Sequence, residues 1–291
     1  MFNWLTNMAE KLLGAFRKSL TAITSKAEAD RLLNLGIEQY NKSQFRAALQ
    51  SWQQALNIYR KIGFRQGEAN SLGNLGSAYY SLGQYQVAID YHQHSLAIQR
   101  EIGNRQGEAD SLGNLGLVYD SLGQYQVAID HFQQSLAIER EIEDRKGEAN
   151  SLGNLGFTYR CLGQYQVAIE YHQQSLTIAQ KIKDLRGQAI SLRSLGNAYD
   201  FLGQYQVAIE YHQQSLVIAQ KIGYHEGEGA CLATLGVTYD SLGQYQVAIE
   251  YHQQSLAIAR EIGDRQGEAI SLNNLGNTYL KTCLLYTSPS P

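Results

Sequence analysis

Apolar residues along this chain recur at helical spacing. Leu72, Leu75, Gly76 and Tyr79 stand at i, i+3, i+4 and i+7, which draws one stripe down a helix. At Leu82-Gly83-Gln84, Gly83 supplies the left-handed residue that ends a helix. Tyr85, Ala88, Ile89, His92 and Leu96 then make a second stripe with the same period. The two stripes predict a helical hairpin. Small residues at Gly76 and Ala88 let the helix backbones approach, and Tyr79 and Tyr85 fill the space beside them. Connections such as Gly263-Asp264-Arg265-Gln266-Gly267-Glu268 offer a terminator and an Asp N-cap for the next helix.

Displacing the sequence by 40 residues superimposes nearly all of it, with copies at Gly67–Gln106, Gly107–Lys146, Gly147–Arg186, Gly187–Glu226 and Gly227–Gln266. A looser copy covers Ala27–Gln66, and another begins at Gly267 and stops near Lys281. Such a period means stacked supersecondary repeats, each unable to bury its own apolar face. Burying one large side chain is worth roughly 1.5–3 kcal/mol, and the pattern returns in every repeat, so the stack is expected to fold without ligand. The fold class is all-α, with about six full hairpins and a truncated one over residues 27–282.

Composition sharpens this. The chain of 291 residues has only two prolines, Pro289 and Pro291, where ordinary usage gives about 15. No apolar run approaches the roughly 18 residues of a membrane-spanning helix. Cys161, Cys231 and Cys283 are too scattered for a disulfide framework or a zinc site, so reduced thiols in a cytoplasmic chain are expected. With 24 basic and 27 acidic residues, the net charge of −3 provides no field to attract nucleic acid. His92, His172, His212 and His252 recur one per repeat, which suits packing rather than a metal needing ligands around one point. Asp90, Asp130, Glu170, Glu210 and Glu250 form a solvated column, unsuited to paired acid–base work. Gly73-Asn74-Leu75-Gly76 sits within a helix and cannot cradle phosphate as a post-strand loop does. No enzyme site, cofactor or metal is expected in residues 27–281.

Leu75-Gly76, Tyr79, Ala88 and Phe132 fit the pattern L-G-x2-Y…A-x3-F, and through it the chain resembles the tetratricopeptide repeat family from Ala27 to about Lys281. Leu72 stands where that pattern often has Trp, four copies carry His at the Phe position, and the closing Pro is missing. The 40-residue form, with its Gly-Asp-Arg-x-Gly-Glu-Ala connection, is similar to the partner-of-inscuteable-like polarity adaptors. It is also similar to bacterial arrays that precede a caspase-like CHAT protease domain. The resemblance implies a right-handed superhelix whose first helices line a concave surface that holds a protein or peptide partner.

A candidate partner site follows from turning 100° per residue about the first helix. Asn70, Gly73, Asn74, Ser77, Tyr80 and Ser81 then lie opposite the core stripe. Leu-Gly-Gln-Tyr-Gln-Val-Ala-Ile is identical in all full copies, whereas the exposed columns vary. One column reads Ser77, Leu117, Phe157, Asn197, Val237 and Asn277; another reads Tyr80, Asp120, Arg160, Asp200 and Asp240. Neutral drift and ligand specificity are both open as explanations. A third column, Asn34, Asn74, Asn114, Asn154, Ser194, Thr234 and Asn274, presents amides that pair with a peptide backbone or act as polar spacers. Arg160 and Arg193 meet either a partner's carboxylate or the aspartates of neighbouring repeats. Alanine at both Asn114 and Asn154 is expected to weaken partner binding without unfolding the array.

The ends differ from the repeats. Phe2, Leu5, Ala9, Leu12, Phe16, Leu20 and Ile23 predict an amphipathic helix within residues 1–26, with Lys11, Arg17 and Lys18 on its polar side. Two readings are open: a cap on the first repeat and a basic membrane-surface helix. Residues 283–291, Cys-Leu-Leu-Tyr-Thr-Ser-Pro-Ser-Pro, resemble the translation of a sequencing adapter. Two functional classes are expected: a non-enzymatic scaffold, or the sensing arm of a larger signalling protein or CHAT-type protease.

Overall fold

The computed structural model describes residues 23–287, with side chains described through Cys283. Most of the expected 1–26 helix therefore lies outside the described residues, as does the end of the 283–291 tail. Among the described residues there are helices and no strand. The chain divides into two compact units, Met1–Ile138 and Glu139–Pro291. The first holds α1 (23–41), α2 (Phe45–Ile62), α3 (Arg65–Ser81), α4 (Tyr85–Glu101), α5 (Arg105–Ser121) and most of α6 (Tyr125–Glu141). The second holds the end of α6, α7 (Arg145–Cys161), α8 (Tyr165–Lys181), α9 (Leu185–Phe201), α10 (Tyr205–Lys221), α11 (His225–Ser241), α12 (Tyr245–Glu261) and α13 (Arg265–Thr287). Where the repeat pattern asks for another Leu-Gly-Gln turn, α13 stays helical to Thr287.

Turns close the hairpins as the sequence pattern requires. Gly83 has φ 72°, and the amides of Gly83 and Gln84 donate to Tyr80 O and Tyr79 O at 2.9 Å each, the paired bonds of a left-handed helix stop. Three non-glycine residues take the same backbone conformation: Ser43 (φ 57°) in the turn of the first hairpin, and Glu143 (φ 59°) and Lys183 (φ 58°) at connections between repeats. Each costs about 1–2 kcal/mol relative to glycine. The expected Asp caps form: the side chains of Asp144, Asp184 and Asp264 accept from Gly147 N at 2.9 Å, Gly187 N at 3.0 Å and Gly267 N at 3.0 Å.

In the first unit the core gathers Ala48, Trp52, Leu56, Ala69, Leu72, Leu75, Ala78 and Ile98. In the second, Ile169, Leu176, Leu192, Leu195 and Ala198 form one cluster, and Ile249, Leu256 and Leu275 another. The space left open by Gly76 is taken by the imidazole of His92. A Cβ on Gly76 would lie 2.7 Å from His92 Cε1, and a Cβ on Gly156 2.6 Å from His172 Cε1. Gly196 and Gly236 meet His212 and His252 likewise, and in the second full copy Phe132 covers Gly116. These rings are at most 2% exposed, which places the histidine ladder in the packing.

Two further ties join repeats. Ser95 Oγ donates to Ala69 O at 3.0 Å and lies 3.2 Å from Ser111 Oγ, so one second-helix serine bridges two first helices. In the second unit Ser175 does the same with Ala149 O (2.8 Å) and Ser191 (3.0 Å). Two arginines also clasp a nearly buried glutamate. Arg100 Nε and Arg105 Nη1 reach Glu108 at 2.8 and 2.5 Å, and Arg140 and Arg145 reach Glu148 at 2.8 and 2.7 Å. Burial alone would raise these carboxyls, but the paired arginines outweigh it and hold both below the ordinary carboxylate value.

Candidate functional site

The helical period that buries Leu72, Leu75 and Tyr79 turns the other face of each first helix outward. In the first unit this face carries Asn34, exposed, and Asn74 and Asn114, half-buried. Their amide groups have no hydrogen-bond partner among the described residues. Ser77 turns its hydroxyl back onto Gly73 O at 3.2 Å, and Leu117 is 37% exposed. Tyr80 is engaged, its hydroxyl 3.0 Å from Ser121 Oγ of the next repeat, as Tyr40 is 2.7 Å from Ser81 Oγ. Asp120 is half-buried and partnered.

The corresponding face of the second unit carries half-buried Asn154 and Asn274, again without amide partners among the described residues. Half-buried Asn197 and exposed Phe157 and Val237 continue the variable column. Between the two halves of the asparagine column, Thr234 Oγ1 donates to Cys231 O at 2.9 Å and lies 3.4 Å from His212 Nδ1. Arg160 does not pair with an aspartate of a neighbouring repeat among the described residues. Its guanidinium lies over the rings of Phe157 and Phe201, 4.7 and 5.4 Å from their centroids. Phe201 in turn stacks on Tyr165 at 5.3 Å. Arg193 is half-buried, and among the described residues neither arginine forms an ion pair.

The aspartates of the second unit are partly committed to structure. Asp240 pairs with Lys281. Burial pushes the Asp200 carboxyl above its ordinary value, with Thr238 acting the other way. Each of these aspartates still has one buried oxygen, Oδ1, without a partner. The Tyr80 column is thus largely a seam between successive repeats, and the asparagine column is the one with unused donors and acceptors. Phe201 was missed by reasoning from the sequence. The signal was present in its column, Ser81, Ser121, Cys161, Phe201 and Ser241, which varies as the Tyr80 column does.

Among the described residues no three His, Cys, Asp or Glu side chains gather to hold a metal, and no helix is long and apolar enough to cross a membrane. The face offers amides, exposed apolar side chains and a few charges, a set of groups suited to holding a polypeptide.

The tetratricopeptide repeat model matches residues 28–101, 67–141, 147–221, 201–261 and 230–283. No curated protein matches the sequence. Among solved structures, the nearly identical TPR-like repeats of a putative kinesin light chain from Podosopora anserina are 27% identical over 66% of this chain and 95% of that one, with a TM-score of 0.55. A Rap protein complexed with Competence and Sporulation Factor is 16% identical over 87% of this chain and 75% of its own, with a TM-score of 0.65. A STAND protein with a tetratricopeptide repeat sensor from Pyrococcus horikoshii is 18% identical over 91% of this chain and 43% of its own, with a TM-score of 0.68. The last two likenesses establish the fold alone. The repeat-for-repeat match, extending from α1 into α13, makes this chain a member of the tetratricopeptide repeat family.

Proposed function

We propose that this chain is a non-enzymatic cytoplasmic scaffold that binds a protein or peptide partner along the faces of its first helices. The observation that carries the reading is the asparagine column. Asn74 and Asn114 in the first unit, and Asn154 and Asn274 in the second, are half-buried amides with no partner among the described residues. None of these amides has a buried unpartnered atom, so each is open to water and free to exchange that water for a ligand's backbone groups. Each amide both donates and accepts, so it reads the backbone of an extended peptide whatever its sequence. Leu117, Phe157 and Val237 beside them select side chains, and Arg160 and Arg193 favour a carboxylate.

A random peptide library panned on the full chain supplies a ligand, which is then titrated against Asn74→Ala/Asn114→Ala. A loss of about 1 kcal/mol per amide, or about tenfold or more for the pair, is expected with unchanged circular dichroism. Absence of any enriched peptide, or equal affinity for the variant, overturns the reading. A second reading, that the array is the sensing arm of a larger signalling protein, draws on the STAND neighbour, whose repeats are a sensor.

A further inference from the structure

One repeat in the second unit is hollowed where its equivalent in the first unit is filled. In the first unit, the space over α4 between α3 and α5 is closed by an amide network. Gln66 Nε2 donates to Asn70 Oδ1 at 2.9 Å, and Asn104 Nδ2 to Gln99 Oε1 at 2.8 Å and to Gln66 Oε1 at 3.2 Å. At the same place over α12, between α11 and α13, Asn70 becomes Ala230, Gln99 becomes Ala259 and Ala69 becomes Gly229. The result is a cleft of about 450 Å³ floored by these three residues together with Ile258 and Ile270.

Two further changes accompany the hollowing. Ile270 stands where the second and third full copies carry Asp110 and Asn150 and the fourth carries Ile190, and it is 47% exposed. At the mouth, Glu226 is the one carboxylate in a column that otherwise reads Gln66, Gln106, Lys146, Arg186 and Gln266. The nearest cation, Arg186, is 3.9 Å from Glu226 and lies over the Tyr224 ring at 4.3 Å. Asp264 also lines the cleft while capping α13, and His225 lies 3.5 Å from Glu228. The floor is apolar and the carboxylates outnumber the cations around the rim.

We propose that this cleft is a binding site for a hydrophobic cation, an apolar group about the size of one indole ring seated between Gly229, Ala230 and Ile270 with its ammonium at Glu226. A volume of about 450 Å³ is at the small end of ligand-binding pockets, which run from about 300 to 1,000 Å³. That suits a single ring system rather than a larger cofactor. The cleft shares no residue with the asparagine column but lies one turn before Thr234 and Asn274 on the same helix faces, so titration with a small amine and titration of the asparagine variants with a peptide read the two separately.

The test is calorimetric titration of the full chain with tryptamine, indole and indole-3-propionate. Tryptamine is expected to bind saturably with a dissociation constant of about 1 mM or tighter, indole more weakly and indole-3-propionate most weakly. Ala230→Asn with Ala259→Gln restores residues the chain itself uses at the equivalent positions, and is expected to cost about tenfold or more in tryptamine affinity. Glu226→Gln, an exposed change, is expected to abolish the preference for tryptamine over indole even if the filled variant folds poorly. The proposal fails if tryptamine does not saturate by about 5 mM, if indole-3-propionate binds as well, or if neither variant changes tryptamine binding.

Discussion

His92, His172 and His212 each lie with the imidazole on a glycine of the preceding helix, and one ring nitrogen of each is buried without a partner. Burial pushes all three down to about 4, with Arg160 adding to the effect at His172 and Arg193 at His212. His252 is lowered too, by burial, although Asp240 beside it acts the other way. The folded state therefore binds these protons later than the unfolded state, whose imidazoles titrate near 6.5. Above that pH neither state is protonated and the histidines cost nothing. As pH falls from about 6.5 to about 4, the unfolded state takes up protons first, and stability falls by on the order of 3 kcal/mol for each of the three. Phe132 shows that this packing position accepts a ring without a titrating nitrogen, being 1% exposed against Gly116. Replacing all four histidines by phenylalanine is expected to move the acid-unfolding midpoint, followed by far-UV circular dichroism, down by about one pH unit or more. An unmoved midpoint would place the acid sensitivity elsewhere.

Within a single helix, neighbouring glycines have opposite reasons to be there. A Cβ on Gly73 of α3 would meet only Ser95 Oγ at 3.5 Å, an ordinary contact, whereas on Gly76 it would be driven into the His92 ring at 2.7 Å. Gly73→Ala should gain about 1 kcal/mol of helix propensity. Gly76→Ala gains the same but adds overpacking of about 1–3 kcal/mol, so its net effect is destabilising, and thermal melting of the two variants should move in opposite directions. The helices, their hairpin pairing, the Gly83 stop and the Asp caps were legible in the sequence because each rests on local spacing that recurs in register. The ring-on-glycine contact was not, because Gly76 and His92 are brought together only when the hairpin closes. The same holds at the candidate site. The asparagine column was legible by helical phase, but the use of Tyr80 and Asp240 as ties to the next repeat, and the stacking of Arg160 on Phe201, depend on neighbours 40 or so residues away.

Across the molecule the hairpins are nearly identical, yet the joints between them differ, and the second unit contains both kinds. The joint entering α7 has an Asp144 cap and the Arg140–Glu148–Arg145 clasp, and the joint entering α13 has Asp264 and the pair Arg260–Glu268 at 2.9 Å. At the joint entering α9, Leu185 and Gln188 replace Arg and Glu, and Gln188 Nε2 donates to Ala179 O at 3.2 Å instead. Entering α11, Tyr224 provides no side-chain cap and Glu228 is met by Gln220 at 3.0 Å. A partly exposed clasp is worth about 1 kcal/mol or less, and a lost cap about 1 kcal/mol. Sums of this size do not unfold a repeat, but they decide where the stack opens first, because repeat arrays gain stability from nearest neighbours and open locally. Amide hydrogen exchange is therefore expected to be about fivefold or more faster in the first turn of α11 than in the first turn of α7, with α9, which retains its Asp184 cap, in between. Restoring the joint with Tyr224→Asp and Gln220→Arg should slow α11 toward the α7 rate while leaving α7 unchanged. Equal protection at α7, α9 and α11 in the parent chain would mean that helix packing alone sets the opening free energy and that the clasps contribute nothing to it.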